Sequence, residues 1–309
     1  MKRLKRTAAA IATIVLSCGF TGRTQSVSNR MPRIRVETDL VNVPATVLDA
    51  NGKPVADLPE SAFALSENGV PQKIDRFETQ TNRPLELALM VDSSLSALKE
   101  MKFEREATER FIRLVVRPGD LLSVFEFSDE VFQLCPFSSN LSTLEAGAEK
   151  ITPGAGTSLF DAIVLGSQAV AETPQGRRRV IVLVTDAGET TSGDTFEMAR
   201  QAAIQSEALL YTILVRPVKS ESGRNTGGEH AIETIMDSTG GAIYYPDSLS
   251  QLDDMFAKIN RELRTQYLLS YYPKPKSKPG TYCQINLKIP AENYTLHYRK
   301  GYIATGMTQ

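Results

Sequence analysis

The chain has 309 residues, of which 35 are Lys or Arg and 36 are Asp or Glu, so its formal net charge is −1. A hydrophobic fraction of 41% with 23% charged residues is typical of a soluble globular protein, and the even charge balance does not favour nucleic-acid binding. The length suits one large domain together with a smaller one.

The N-terminal segment has the pattern of a bacterial export signal. Four basic residues near the start precede a short apolar stretch over residues 7–16, and small residues follow. We expect residues 1–19 to direct export, so that the protein is periplasmic, an outer-membrane lipoprotein or secreted. Cys18 in "VLSC" resembles the acylated cysteine of a bacterial lipoprotein signal, and cleavage after Gly19 is the alternative.

A small all-β unit is predicted after a polar linker at residues 20–32. Apolar and polar residues alternate from residue 33, with the turn sequence "DANGKPV" and a second turn at Asn68-Gly69. We assign residues 33–82 to this N-terminal β unit.

From residue 84 buried-strand patterns alternate with helical patterns. The strand candidates are residues 85–92, 120–128, 179–186, 208–216 and 242–246. The helical patterns lie at residues 97–116, 141–150, 158–171, 195–206, 229–238 and 248–264. Continuous aliphatic runs alternating with helices predict an α/β domain with a doubly wound, mostly parallel sheet over residues 84–260.

The C-terminal region, residues 261–309, returns to a β pattern. This segment and the N-terminal β unit flank the α/β domain, and we hypothesise that they pair into one sheet or sandwich. The two cysteines beyond Cys18 are Cys135 and Cys283. Sequence leaves open whether these two form a disulfide or are buried free thiols.

Polar residues cluster where strands of the predicted sheet end. Ligands of open α/β sheets bind at the carboxyl ends of the strands. One strand ends in Asp92 with Ser94 and Ser96 close behind, another ends in Asp186, and Thr157 lies between a Gly-rich turn and a helix. Hydroxyl and carboxylate oxygens form a ligand set suited to a hard cation such as Mg²⁺ or Mn²⁺.

Three segments carry a resemblance to a known family. The sequences "DSSLS" (92–96), "GTSLFDAI" (156–163) and "VIVLVTDAG" (180–188) resemble the loops of a von Willebrand factor type A (VWFA) domain and its metal-ion-dependent adhesion site. More closely, the segment at 41–58 and the "RKGY" tail at 299–302 resemble the exported VWFA-related proteins of Acidobacteria.

The resemblance implies a function. Ser94 and Ser96 would ligate the cation through hydroxyls, Thr157 directly or through water, and Asp92 and Asp186 mainly through coordinated water. One coordination position would then accept an acidic side chain from a protein partner. One departure from the family pattern is Ala187, which stands between Asp186 and a glycine and puts the local turn in doubt.

Two alternatives accompany this prediction. The same fold could bind partners without metal, with the hydroxyls serving as helix caps and loop anchors. An enzyme would need a base for Ser94 or Ser96, and neither His230 nor His297 lies where an α/β hydrolase presents its histidine. We therefore expect a cell-envelope binding protein without catalytic residues, with no nucleic-acid partner and with membrane contact only through a lipid on Cys18.

Overall fold

The computed structural model describes residues 40–79, 83–95, 98–172, 176–215, 225–246, 248–290 and 293–304. The predicted export signal with Cys18, the predicted linker and the candidate ligand Ser96 lie outside the described residues. No helix within the described ranges is both long and apolar enough to cross a membrane.

The described strands, in chain order, are β1 (Val41–Leu48), β2 (Ala64–Glu67), β3 (Val70–Pro71), β4 (Arg76–Glu78), β5 (Leu85–Asp92), β6 (Leu121–Phe127), β7 (Val131–Ser138), β8 (Arg178–Thr185), β9 (Leu209–Leu214), β10 (Ile243–Tyr244), β11 (Tyr267–Tyr271), β12 (Tyr282–Lys288), β13 (Thr295–Tyr298) and β14 (Gly301–Ile303). The α-helices are α1 (Leu98–Val115), α2 (Leu141–Ala148), α3 (Leu159–Ala171), α4 (Phe196–Ser206), α5 (Thr226–Thr239) and α6 (Leu252–Arg264).

The central sheet has the strand order β10-β9-β8-β5-β6-β7. All neighbouring pairs are parallel except β6 with β7. This arrangement confirms the predicted doubly wound, mostly parallel sheet. The antiparallel edge strand β7 is an addition that the sequence analysis did not predict, because its half-exposed pattern contains a proline, Pro136, and lacks a continuous apolar run.

Helices cover both faces of the central sheet because its middle strand is apolar on both sides. The side chains of Leu87 and Leu89 in β5 join the core under α1, α2 and α6, whereas those of Ala88 and Met90 join the core under α3, α4 and α5. Each buried leucine contributes about 1.5–3 kcal/mol relative to an exposed one. This double burial explains why β5 reads as a continuous apolar run.

Strands from the two flanking segments pair with each other. β1 lies antiparallel between β11 and β13, and β12 lies antiparallel between β2 and β14. The resulting sheets, β13-β1-β11-β4 and β14-β12-β2-β3, enclose a third hydrophobic core. The α/β region therefore lies in the chain between the two halves of a β-sandwich, while the limits proposed for the individual domains stay predictions.

Both described cysteines are free and buried. Cys135 belongs to the core under α1, and Cys283 belongs to the sandwich core. Because the two thiols lie in different cores, the structure has two buried free thiols and no bridge between them.

Candidate metal-binding site

The loop after β5 is organised around the buried carboxylate of Asp92. Its Oδ1 accepts hydrogen bonds from the backbone N of Ser94 at 3.1 Å and from Ser94 Oγ at 2.5 Å. A short polar side chain that accepts from the backbone two residues on is a recurrent turn-forming device. Asp92 is fully buried and Ser94 is partly exposed, so the carboxylate holds a hydroxyl at the surface.

Thr185 holds the other carboxylate oxygen of Asp92. Its Oγ1 donates to Asp92 Oδ2 at 2.6 Å and accepts from the backbone N of Ala187 at 3.0 Å. Thr185 was not among the site residues predicted from the sequence. The signal was its position: β8 runs parallel beside β5 with Val184 opposite Val91, which puts Thr185 next to Asp92.

The second loop brings Thr157 to the first. Thr157 Oγ1 donates to Ser94 Oγ at 2.8 Å, although the two residues are 63 positions apart in the chain. The backbone of Thr157 is fixed by Thr190, since its N donates to Thr190 Oγ1 at 2.9 Å and its O accepts from Thr190 N at 2.9 Å. Glycine is required at 154 because a Cβ there would lie 2.0 Å from Ser128 Cβ.

The third loop carries Asp186 at the end of β8. Asp186 Oδ1 accepts from the backbone N of Gly188 at 2.8 Å. Between them Ala187 is fully buried and has a φ of 64°, a left-handed conformation that costs a non-glycine residue about 1–2 kcal/mol. The doubt raised by the inserted alanine is thus answered: the turn closes on Gly188 with Ala187 in a strained conformation.

Gly188 packs closely against two of the predicted ligands. A Cβ added there would lie 3.0 Å from Asp186 Oδ1 and 3.0 Å from Thr157 Oγ1. A side chain at this position would crowd both oxygens, so glycine lets them lie on either side of one backbone position.

The two carboxylates lie in an environment that disfavours negative charge. Burial raises the pKa of Asp92 from 3.8 to about 7, although hydrogen bonds from Ser94 and Thr185 lower it, and the nearby charge of Asp186 raises it further. Burial also raises the pKa of Asp186. A cation at this place would offset the cost of desolvating both carboxylates.

An acidic loop borders the site and is held to the start of α3. Glu189 Oε2 accepts from Ser192 Oγ at 2.6 Å and from the backbone N of Phe160 at 3.1 Å. Asp161 accepts from the backbone N of Gly193 at 3.1 Å and of Asp194 at 2.7 Å. These bonds fix the acidic loop against the start of α3.

Of the five predicted ligands, Asp92, Ser94 and Thr157 are joined by hydrogen bonds, and Asp186 lies across Gly188 from Thr157. Ser96 is outside the described residues. In the part of the chain that is described, no three or more His, Cys, Asp or Glu side chains are grouped to hold a metal ion. A cation here would depend instead on two carboxylates combined with neutral hydroxyls.

Comparison with known proteins identifies the fold. Residues 87–189 match the family model of the von Willebrand factor type A domain. No curated protein matches the chain.

Among solved structures, a von Willebrand factor type A protein from Catenulispora acidiphila is 10% identical with a TM-score of 0.51, and the match covers 89% of this chain and 76% of that one. The PilB minor pilin from Streptococcus sanguinis is 13% identical with a TM-score of 0.50, over 60% of this chain and 62% of that one. A structure of proximal thread matrix protein 1 from the mussel byssus, described with a zinc-occupied MIDAS motif, is 12% identical with a TM-score of 0.47. That match covers 58% of this chain and 47% of that one. At these identities the first two likenesses show a shared fold alone.

Proposed function

We propose that this chain, whose residues 87–189 match the family model of the von Willebrand factor type A domain, is an exported binding protein whose site holds a divalent cation and receives an acidic side chain of a protein partner. The observation that supports the cation is the run of oxygens from Asp92 through Ser94 to Thr157, joined at 2.5 and 2.8 Å. Residues from separate loops contribute these oxygens at the carboxyl edge of the sheet. A ligand of the sheet is expected at that edge.

The chemistry of the residues fits a hard cation. All the candidate ligand atoms are oxygens, which Mg²⁺ and Mn²⁺ prefer. The buried carboxylate of Asp92 has its pKa raised by desolvation, and oxygens of Asp186 and Thr157 lie on either side of Gly188. When bound, the cation would supply the missing positive charge and one coordination position for a partner carboxylate.

Each side chain has a separate role in this proposal. Ser94 donates its hydroxyl proton to Asp92 and accepts from Thr157 with one lone pair of Oγ, so its other lone pair is left for a cation. Thr157 supplies a second hydroxyl, and Ser96 is the predicted third. Asp92 and Asp186 orient the hydroxyls and water from outside the first ring of ligands. Neutral direct ligands leave most of the charge of the cation available to an acidic partner.

We test the metal by isothermal titration calorimetry of the exported form of the protein with Mg²⁺ and with Mn²⁺. Ser94→Ala is expected to weaken binding at least tenfold, since it removes a direct ligand. Ser93→Ala is the matched control, because the Ser93 hydroxyl donates to the backbone O of Phe127 at 3.3 Å and is not among the ligands. No heat and no thermal shift at millimolar metal would contradict the metal site.

A metal-independent scaffold is the second candidate function. The observation that favours it is that Asp92 and Ser94 already satisfy each other, with Thr185 and Thr157 completing the network. Immobilised protein should retain an envelope partner in Mg²⁺ and lose it in EDTA if the cation is used. Retention that is equal in EDTA and unchanged by Ser94→Ala supports the scaffold instead.

We propose that the site is not catalytic. The Ser94 hydroxyl donates to a carboxylate, whereas His297 Nδ1 lies 3.0 Å from Glu262 Oε2 and His230 is exposed on α5. Export, lipid attachment to Cys18 and the finer resemblance to the Acidobacteria proteins also stay predictions. Mass spectrometry of the mature N-terminus distinguishes an acylated Cys18 from cleavage after Gly19.

A further inference from the structure

A second cavity lies at the β10 edge of the central sheet, away from the candidate metal site. Its volume is about 450 Å³, which is within the usual range for small-molecule pockets. β10 is three strand positions from β5, about 14 Å at the ordinary spacing of strands. The metal site and this cavity are therefore distinct places in the fold.

The cavity is formed where five parts of the fold meet. The turn after β1 contributes Pro54, β10 contributes Ile243, α5 contributes Met236, and α6 and β13 contribute polar side chains. Apolar side chains from three of these elements provide a surface for an apolar or aromatic group. Such a cavity, with a few polar groups converging on it, is suited to binding a small organic molecule.

A buried hydrogen-bond network underlies the cavity. Glu262 is 3% exposed and accepts from the hydroxyl of Tyr244, from Tyr211 at 3.5 Å and, when His297 carries a proton on Nδ1, from that nitrogen at 3.0 Å. Burial, followed by the charge of Glu262, raises the pKa of Tyr244. The network occupies Glu262 and fixes the imidazole of His297.

The accessible charge at the cavity is mainly positive. Lys258 and Arg261 lie one turn apart on α6, line the cavity and are exposed, and the charge of Arg261 acts on Tyr244. The acidic residue at the rim, Glu233, accepts from the hydroxyl of Tyr245 at 3.3 Å. Glu262 is buried, and among the exposed charged residues that line the cavity the two cations outnumber Glu233, which favours a ligand with negative charge.

We propose that this cavity binds a small organic anion, with its carboxylate or phosphate at Lys258 and Arg261 and its apolar body against Ile243 and Met236. This site is independent of the proposed metal-dependent function. Charge-assisted hydrogen bonds from Lys and Arg are the strong polar contacts available to such a ligand.

The test is calorimetric titration of the full chain in EDTA with 1-naphthoate, 1-naphthyl phosphate and the uncharged 1-naphthamide. EDTA removes any cation that could hold an anion at the other site. We expect at least one anion to bind with a Kd below about 1 mM and at least fivefold more tightly than the amide. The stronger of the two anions identifies carboxylate or phosphate as the preferred group.

Variants locate the binding. Lys258→Gln and Arg261→Gln, both at exposed positions, should each weaken anion binding about three- to tenfold and leave the weak binding of the amide unchanged. Lys288→Gln, at an exposed position of β12, is the matched control. The proposal is overturned if neither anion binds with a Kd below about 1 mM, if neither binds at least fivefold more tightly than the amide, or if either α6 variant binds like the control.

Discussion

Replacing Asp92 by Asn should stabilise the metal-free protein while removing its response to Mg²⁺. The folded protein holds the Asp92 carboxyl with a pKa of about 7, against 3.8 for the ordinary group. The folded state therefore binds a proton more tightly than the unfolded state does. This tighter proton binding stabilises the folded state most at low pH, and the stabilisation is lost as the pH rises from about 4 to about 7.

The size of the effect follows from these two values. A tenfold change in proton affinity corresponds to about 1.4 kcal/mol. At pH 8 the ionised buried carboxylate therefore lowers the free energy of unfolding by about 4 kcal/mol relative to a neutral group. At pH 5 the cost is about 2 kcal/mol, because the folded protein is then protonated at Asp92. The side-chain oxygen of Asn can still accept from Ser94, but its NH₂ group then faces Thr185 Oγ1 and cannot accept the Thr185 proton. This lost hydrogen bond reduces the stability gained by about 1 kcal/mol. The net gain is about 3 kcal/mol at pH 8.

The measurement is urea unfolding of wild type and Asp92→Asn in EDTA at pH 8 and pH 5. The advantage of the variant should shrink by about 2 kcal/mol at the lower pH, a difference that does not depend on the hydrogen-bond cost. Asp129→Asn is the control: it removes the same charge from an exposed side chain and should change stability by about 0.5 kcal/mol or less. Millimolar Mg²⁺ should stabilise wild type and leave Asp92→Asn unchanged.

Two results would refute this reasoning. If Asp92→Asn is less stable than wild type in EDTA at pH 8, the carboxylate is not destabilising the metal-free fold. If its advantage is the same at both pH values, the effect does not come from ionisation of Asp92. A variant that still gains stability from Mg²⁺ would instead separate Asp92 from the metal site.

Substitutions at three further positions test other parts of the structure by urea unfolding. Ala187→Val should cost about 2 kcal/mol or more, because a β-branched residue is poorly tolerated at a φ of 64°, whereas Ala187→Gly should stay within about 1 kcal/mol of wild type; equal losses would contradict the left-handed turn. Gly154→Ala should cost about 1–3 kcal/mol and weaken Mg²⁺ binding, because its Cβ would meet Ser128; unchanged stability and binding would show that the loop has more room. Tyr271→Phe should cost about 1–3 kcal/mol by removing the 2.6 Å bond to buried Glu67, and a neutral effect would argue against that bond.

The sheet was predictable where strands are buried on both faces. The predicted strand over residues 85–92 coincides with β5, and that over 179–186 differs from β8 by one residue at each end. Continuous apolar runs carry this information because both sides of the strand contact helices. β7 was missed, since its mixed burial pattern resembles that of a loop.

The site was predictable in its residue types and only partly in its contacts. The sequence pattern identified Asp92, Ser94, Ser96 and Asp186 as polar residues at strand ends and Thr157 as a hydroxyl between a Gly-rich turn and a helix. The role of Thr185 depends on the parallel register of β5 and β8, which no local pattern encodes. Likewise the pairing of β1 with β11 depends on strands far apart in the chain.

That long-range pairing has a consequence for the order of folding. Ala45 in β1 lies opposite Tyr267 in β11, so this contact closes a loop of more than two hundred residues. Contacts of such separation form late, because the entropy of loop closure is lost before they contribute any stability. The α/β region can complete its own core first. Both edges of β1 stay unpaired until β11 and β13 have formed. A chain that is truncated after α6 would keep those edges exposed and would be prone to aggregation. Protection of β1 from aggregation therefore depends on the strands that follow α6.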